Sequence, residues 1–205
     1  QQMPNPPVTL EHMDNAIKTL RSTLSKQQIK VKERRLPVIV LLEGWGAAGK
    51  GTLIGRLIRN LDPRFYTVSV FKPTLTSEEK RFPFFHRYFK MIPEGGKFLF
   101  MDTGWLEQMV QAKQAGIIGE NHYEEQITAI RRFVRQLTDN GYLVLKLFLH
   151  IEKKEQEKRL NQLSENVDTA WRVDQYDLWQ NSHYKECLSD YDRLITDTNT
   201  PNAPW

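Results

Sequence analysis

Apolar and polar residues recur along this chain in two rhythms. From Thr9 onward, Leu10, Met13, Ile17, Leu20 and Leu24 fall at spacings of three and four, the period of a helix with one apolar stripe. Thr9 reads as its N-cap with Glu11 in the first turn, and the helix runs into the charged stretch KVKERRL before Pro37. The next run, VIVLLEG, has no polar alternation, as a strand buried on both faces would. Three similar runs follow: TVSVFK at 67–72, KFLFMD at 97–102 and YLVLKLFLHI at 142–151. Amphipathic stretches near 50–61, 77–90, 104–116, 123–139, 152–163 and 174–195 separate or follow them. Strands alternating with helices of this length predict an α/β fold with a doubly wound parallel sheet. Residues 1–36 read as a proline-rich arm and a helix, and 37–205 as a single domain. The chain reaches Trp205 where another strand is due, so a last strand and helix are expected beyond it.

Composition narrows the picture. Twenty-two aromatic residues among 205 (5 Trp, 7 Tyr, 10 Phe) can fill a core, which excludes wholesale disorder. No apolar run has the length of a membrane span, and no basic-then-apolar leader opens the chain. With Cys187 as the one cysteine, a reducing, cytoplasmic location is expected. The net charge of +4 sits in residues 1–36, with 7 Lys/Arg against 3 Asp/Glu; residues 37–205 carry 22 of each. A balanced domain gives no reason to expect a nucleic-acid or membrane partner.

The candidate chemistry begins at the end of the first strand, where Gly44-Trp45-Gly46-Ala47-Ala48-Gly49-Lys50-Gly51-Thr52 fits G-x-x-x-x-G-K. Small residues let successive backbone N–H groups wrap a phosphate, and the N-terminus of the following helix adds partial positive charge. Lys50 supplies a point charge for terminal phosphates, and Thr52 offers a hydroxyl to Mg²⁺, one position later than the general pattern places it. Asp102 closes KFLFMD, where it either holds Mg²⁺ or caps the helix that follows. Arginines and lysines able to face migrating phosphate are Arg56, Lys72, Arg81, Arg87, Arg131, Arg132 and Arg135. The five histidines show no metal-ligand spacing, and His150 is expected to make a structural hydrogen bond. Cys187 and Trp45 are expected to pack, and Trp171, Trp179 and Tyr184 to anchor helices to the sheet.

The stretches EGWGAAGKG, LDPRFYTVSVFKPT, HRYF…PEGG leading to FMDTGW, LKLFLHIEKKEQEKRL and TNTPNAPW together resemble the polyphosphate kinase 2 family. The resemblance runs from about Leu36 to Trp205. It implies a P-loop kinase-like fold of the adenylate/thymidylate-kinase type, a parallel sheet flanked by helices with a helical lid near 117–135. It implies transfer of phosphate between inorganic polyphosphate and a purine nucleoside mono- or diphosphate, with Mg²⁺ as cofactor and a homo-oligomer or fused second domain as partner. The implied site residues are Lys50, Asp102 and Arg87 for catalysis, with Gly44, Gly49, Gly51 and Lys72 around phosphate; the loop motif itself adds Gly46, Ala47, Ala48 and Thr52, and charge alone adds Arg56 and Arg135. Asp102 and Thr52 are the implied metal ligands.

The chain departs from the family pattern at three places. Gly46 stands where an Asp is usual, Thr103 where an Arg is usual, and Val134 where an acidic residue is usual. Losing one charged stabiliser from a phosphoryl-transfer site costs on the order of a thousandfold in rate. The alternative reading is therefore a weakened domain that binds polyphosphate beside a competent partner domain. An ATP-using nucleoside-monophosphate kinase would share the loop but not the Ala203-Pro204-Trp205 ending. On this reading, restoring Gly46→Asp and Thr103→Arg together raises transfer.

Overall fold

The computed structural model describes residues 10–71, 76–77, 79–117 and 119–205. Thr9 and Lys72 lie outside the described residues.

The four strands are parallel: β1 (Val38–Gly44), β2 (Tyr66–Val70), β3 (Phe98–Asp102) and β4 (Leu143–Leu149), in the order β2-β3-β1-β4. All seven residues of β1 are buried, because β3 and β4 flank it and helices cover both faces. This is why its sequence lacks polar alternation. The helices are α1 (Leu10–Glu33), α2 (Lys50–Ile58), α3 (His86–Phe89), α4 (Trp105–Gln114), α5 (Glu120–Asp139), α6 (Lys153–Glu165), α7 (Gln175–Ser182) and α8 (Tyr184–Thr198).

Alternate strand residues point to opposite faces and build two cores. Ile39, Leu41, Leu99 and Met101 face α4, α5 and α8, meeting Met109, Ile130, Val134 and Leu194. Val38, Val40, Leu42, Phe98 and Phe100 face α2 and α1, meeting Ile54, Leu24 and Val31. On this second face the in-register residues of β4, Leu143, Leu145 and Leu147, remain 41–44% exposed.

The N-terminal helix is part of the fold in its second half. Gln28 is buried and clasps the backbone of Asp62, its Nε2 donating to the carbonyl (3.2 Å) and its Oε1 accepting from the N–H (2.8 Å). Nearer its start the stripe is open, with Leu20 66% exposed.

Three expectations need correction. The helix expected over 77–90 is a 3-10 turn at Glu79–Arg81 and the short α3, because Pro83 has no N–H to donate and disfavours helical backbone at Phe82. The helix expected over 174–195 is two helices. At the break His183 adopts non-helical angles (φ −102°, ψ 28°); its N–H still donates to the Trp179 carbonyl (2.9 Å), which the Ser182 hydroxyl shares (2.7 Å). Trp171 anchors nothing: it lies 77% exposed on the α6–α7 connection, its indole donating to Asp168 O (2.9 Å). In the segment 117–135, Tyr123, Ile127, Ile130, Phe133 and Val134 are buried in the main core at helical spacing.

Removing the α1 clasp by Gln28→Leu leaves the Asp62 N–H and carbonyl unsatisfied. The expected loss is about 1–3 kcal/mol in urea unfolding. An unchanged midpoint would mean that α1 is not integral to the fold.

Candidate active site

The turn from β1 into α2 is held by close approach to β4. Gly44 has φ of +134°, and a Cβ there would overlap the Leu149 carbonyl, so only glycine lets the two strand ends come together. The Trp45 N–H then donates to Leu149 O (3.2 Å). Its ring turns inward to stack on Tyr184 (4.1 Å between centroids) and donates from Nε1 to His150 Nδ1 (3.1 Å). Packing for Trp45 and a structural hydrogen bond for His150 are what the structure shows. Ala47 takes φ of +56° and Gly49 +97°, which turns the chain into the first residue of α2, Lys50. Among the described residues, the amides of Ala47, Gly49, Lys50 and Gly51 have no protein acceptor. They form the concave, electropositive end of α2 that suits an anion. Lys50 folds over the turn, its Nζ donating to Gly44 O (3.1 Å) and Trp45 O (3.2 Å), with Glu107 Oε2 at 3.8 Å.

Gly46 faces the other way. Its N–H donates to Gln180 Oε1 (2.8 Å) and its carbonyl accepts from Gln156 Nε2 (3.3 Å); both glutamines are fully buried. The Asp177 carboxylate occupies the space a side chain at position 46 would need, with Cγ 2.9 Å from where that Cβ would stand. Its other oxygen accepts from Asp174 N–H (3.1 Å) in the box that caps α7. The position is therefore already filled by a carboxylate, and Gly46→Asp would bring a second one onto Asp177. This undercuts the expectation that restoring Asp at 46 raises transfer.

Carboxylates crowd the rest of the site. Asp102 Oδ2 lies 3.1 Å from where a Gly51 Cβ would be, over the N-terminus of α2, and burial raises its pKa while Lys50 lowers it. Gly104 begins α4 without a side-chain cap, so Asp102 does not cap that helix. Glu43 does so instead, accepting from Leu106 N–H (2.8 Å) and Glu107 N–H (3.4 Å). Burial first, then the charge of Glu107, push the Glu43 carboxyl up to about 8. Burial likewise raises Glu107 and Asp177. Opposite them, Arg159 of α6 donates to the carbonyls of Ala47 (3.3 Å) and Ala48 (3.4 Å) and pairs with Glu155 (2.7 Å).

The sequence-predicted residues divide. Gly44 to Thr52 and Asp102 come together. Arg87 pairs with Glu79 (3.2 Å) and lies over the Phe71 ring (4.9 Å), and its charge acts on Tyr88 together with those of Glu43 and Glu107. Arg56 is exposed in the last turn of α2, six residues from Lys50 and so about 9 Å along the helix. Arg135 is an exposed surface cation paired with Asp139 (3.3 Å). Val134 is a core residue, so its departure from an acid changes packing and not the charge around the loop. Thr103 has φ of +72°, strained for a β-branched residue, immediately after Asp102. Sequence reasoning missed Glu43, Glu107, Gln156, Arg159, Asp177 and Gln180. Only Glu43 carried a signal, as the one charge in an otherwise apolar strand.

A parallel sheet whose central strand turns through this lysine-ended glycine loop into a helix defines a P-loop kinase-like protein. The chain belongs to the polyphosphate kinase 2 family, whose model, Polyphosphate kinase 2 (PPK2), matches residues 9–205. It is 31% identical over 193 residues to the polyphosphate:AMP phosphotransferase of Pseudomonas aeruginosa, covering 94% of this chain and 39% of that one. It is 27% identical over 186 residues to ADP-polyphosphate phosphotransferase 3 of Rhizobium meliloti, covering 91% of this chain and 65% of that one. The chain thus spans under two thirds of either relative. The crystal structure of polyphosphate kinase 2 from Arthrobacter aurescens TC1 superposes with a TM-score of 0.92 at 24% identity, over all of this chain and 74% of that one.

Two predictions test this geometry. Gly46→Ala displaces Asp177 from its capping box and should cost about 1–2 kcal/mol. Asp177→Gly in the same molecule should recover part of that cost, and strictly additive losses in a double-mutant cycle would contradict the overlap. The second concerns pH. Glu43 binds its proton more tightly folded than unfolded, so its contribution is complete below its unfolded pKa and is lost as pH rises through about 8. Glu43→Gln should therefore flatten the fall in Tm between about pH 5 and 9; parallel curves for mutant and wild type would contradict it.

Proposed function

We propose that the protein moves a phosphoryl group between inorganic polyphosphate and a nucleoside mono- or diphosphate, AMP or ADP. The observation that carries this reading is the preformed loop, with amides at Ala47 and Gly49–Gly51 lacking acceptors among the described residues and Lys50 beside them. In the transfer, a terminal phosphate oxygen of one substrate attacks the end phosphorus of the other. One P–O bond forms, one breaks, and the shortened chain leaves as an anion. The loop amides hold the transferred group at the helix N-terminus. Lys50, exchanging its bonds to Gly44 O and Trp45 O for phosphate oxygens, offsets the charge that develops. Arg159, which donates to the loop carbonyls of Ala47 and Ala48, offers a guanidinium beside the loop for a second phosphate.

Magnesium fits this donor set as a shared ion. Among the described residues no three His, Cys, Asp or Glu side chains form a cage of their own. Mg²⁺ usually takes one or two carboxylates together with water and substrate phosphates, which Asp102 and the Thr52 hydroxyl can complete. When bound it would neutralise negative charge on the substrate phosphates. A purine nucleotide as acceptor, a cytoplasmic location, and a second copy or fused domain as working partner belong to the same proposal; coverage of 39% of a polyphosphate:AMP phosphotransferase supports the last.

A weakened, polyphosphate-binding domain is the second reading. Thr103 favours it, being strained and uncharged where the resemblance expects arginine.

Nucleotide formation from polyphosphate, Mg²⁺ and AMP or ADP, run beside Lys50→Ala, separates the two. Transfer that falls a hundredfold or more, roughly the cost of one lost charge stabiliser, places chemistry in this domain. Transfer indifferent to Lys50 would make this a binding domain only.

A further inference from the structure

The phosphate loop is held from behind by two buried amides that no part of the proposed chemistry uses. Gln180 of α7 accepts from the Gly46 N–H at 2.8 Å, and Gln156 of α6 donates to the Gly46 carbonyl at 3.3 Å. The two are joined to each other, Gln156 Nε2 to Gln180 Oε1 at 2.8 Å, and both are fully buried. Each is tied in turn: Gln180 Nε2 donates to the Tyr191 hydroxyl (3.1 Å), and Gln156 Oε1 accepts from Asn181 Nδ2 (3.0 Å). A single residue of the loop is thus gripped on both sides, through the N–H of the peptide before its Cα and the carbonyl of the peptide after it.

Burying a polar amide is costly unless its hydrogen bonds are made, and these two make theirs on the loop and on each other. The grip also fixes which amides the loop offers. The Gly46 N–H is taken by Gln180 and the Ala48 N–H by the Trp45 carbonyl, so the cradle consists of the amides of Ala47, Gly49, Lys50 and Gly51. Rotation of either peptide flanking the Gly46 Cα would break one of the two bonds.

We propose that Gln156 and Gln180 are positioning residues that hold the phosphate loop in its binding shape before any phosphate arrives, making loop shape and α6–α7 packing one equilibrium. Phosphate binding then pays no cost for ordering the turn, as in other preorganised sites. This inference rests on the reading of the loop as a phosphate site, and its test separates the two.

The chain and its Gln156→Leu and Gln180→Leu variants are compared by amide hydrogen exchange and by titration with tripolyphosphate in Mg²⁺. Gln28→Leu, which removes a buried amide clasp on the far side of the sheet, is the control for general destabilisation. The expected result is roughly tenfold faster exchange at the Gly46 and Ala48 amides in both variants, with β3 protection kept. Tripolyphosphate affinity should fall about tenfold in the same variants, the factor that one lost hydrogen bond of about 1.4 kcal/mol sets. Gln28→Leu should show neither change. Glutamine variants that lose only melting temperature, to the same degree as the control and with loop exchange and affinity intact, would overturn the proposal. A wild-type chain that binds no tripolyphosphate would overturn the phosphate-site reading instead, and the exchange rates at Gly46 would still decide the clasp.

Discussion

The structure turns on a stretch of backbone that the protein does not satisfy by itself. Between β1 and α2 the amides of Ala47, Gly49, Lys50 and Gly51 have no acceptor among the described residues. Such groups persist only where surrounding structure fixes the turn or a ligand completes it. Here the fixing is visible on three sides. Gly44 seats the end of β1 against Leu149 of β4, Trp45 is stacked and hydrogen-bonded inside the core, and Gly46 is gripped by Gln156 and Gln180. The parallel sheet, with β1 at its centre, exists in this form to bring those three anchors to one end.

Charge around the loop follows from the same geometry. Glu43, Asp102, Glu107 and Asp177 are brought toward a single lysine, and burial raises the pKa of each. An arrangement that penalises its own carboxylates is relieved by added cation. In the proposed function a polyphosphate chain arriving with a divalent ion would supply it, while the amides and Lys50 would take the anion. The acid that the family pattern would place in the loop is replaced by one from α7, at the same point in space and with Gly46 left bare to admit it.

How much of this the sequence carried depends on the range of each interaction. The β1 run and the loop after it were legible because both are local: a central strand shows no polar alternation, and the turn states its glycines in order. The two α-helical pieces of 77–90 and 174–195 were misread because apolar spacing continued through Pro83 and through Ser182-His183, where helical backbone geometry did not. Arg56 and Arg135 were drawn in by charge alone, and charge says nothing of distance; one is in the far turn of α2 and the other on an open face of α5. Gln156 and Gln180 were invisible for the opposite reason. They are neutral, and their bonds to Gly46 cross 110 and 134 residues of chain, a separation at which no local pattern forms.

The most direct test of the central claim is a crystal structure of the chain with tripolyphosphate and Mg²⁺. The account predicts a terminal phosphate seated on the amides of Ala47 and Gly49–Gly51, with Lys50 Nζ turned to it from the carbonyls of Gly44 and Trp45 and with Gly46 still bonded to Gln180. Tripolyphosphate bound elsewhere, with Lys50 still folded on those carbonyls, would contradict it.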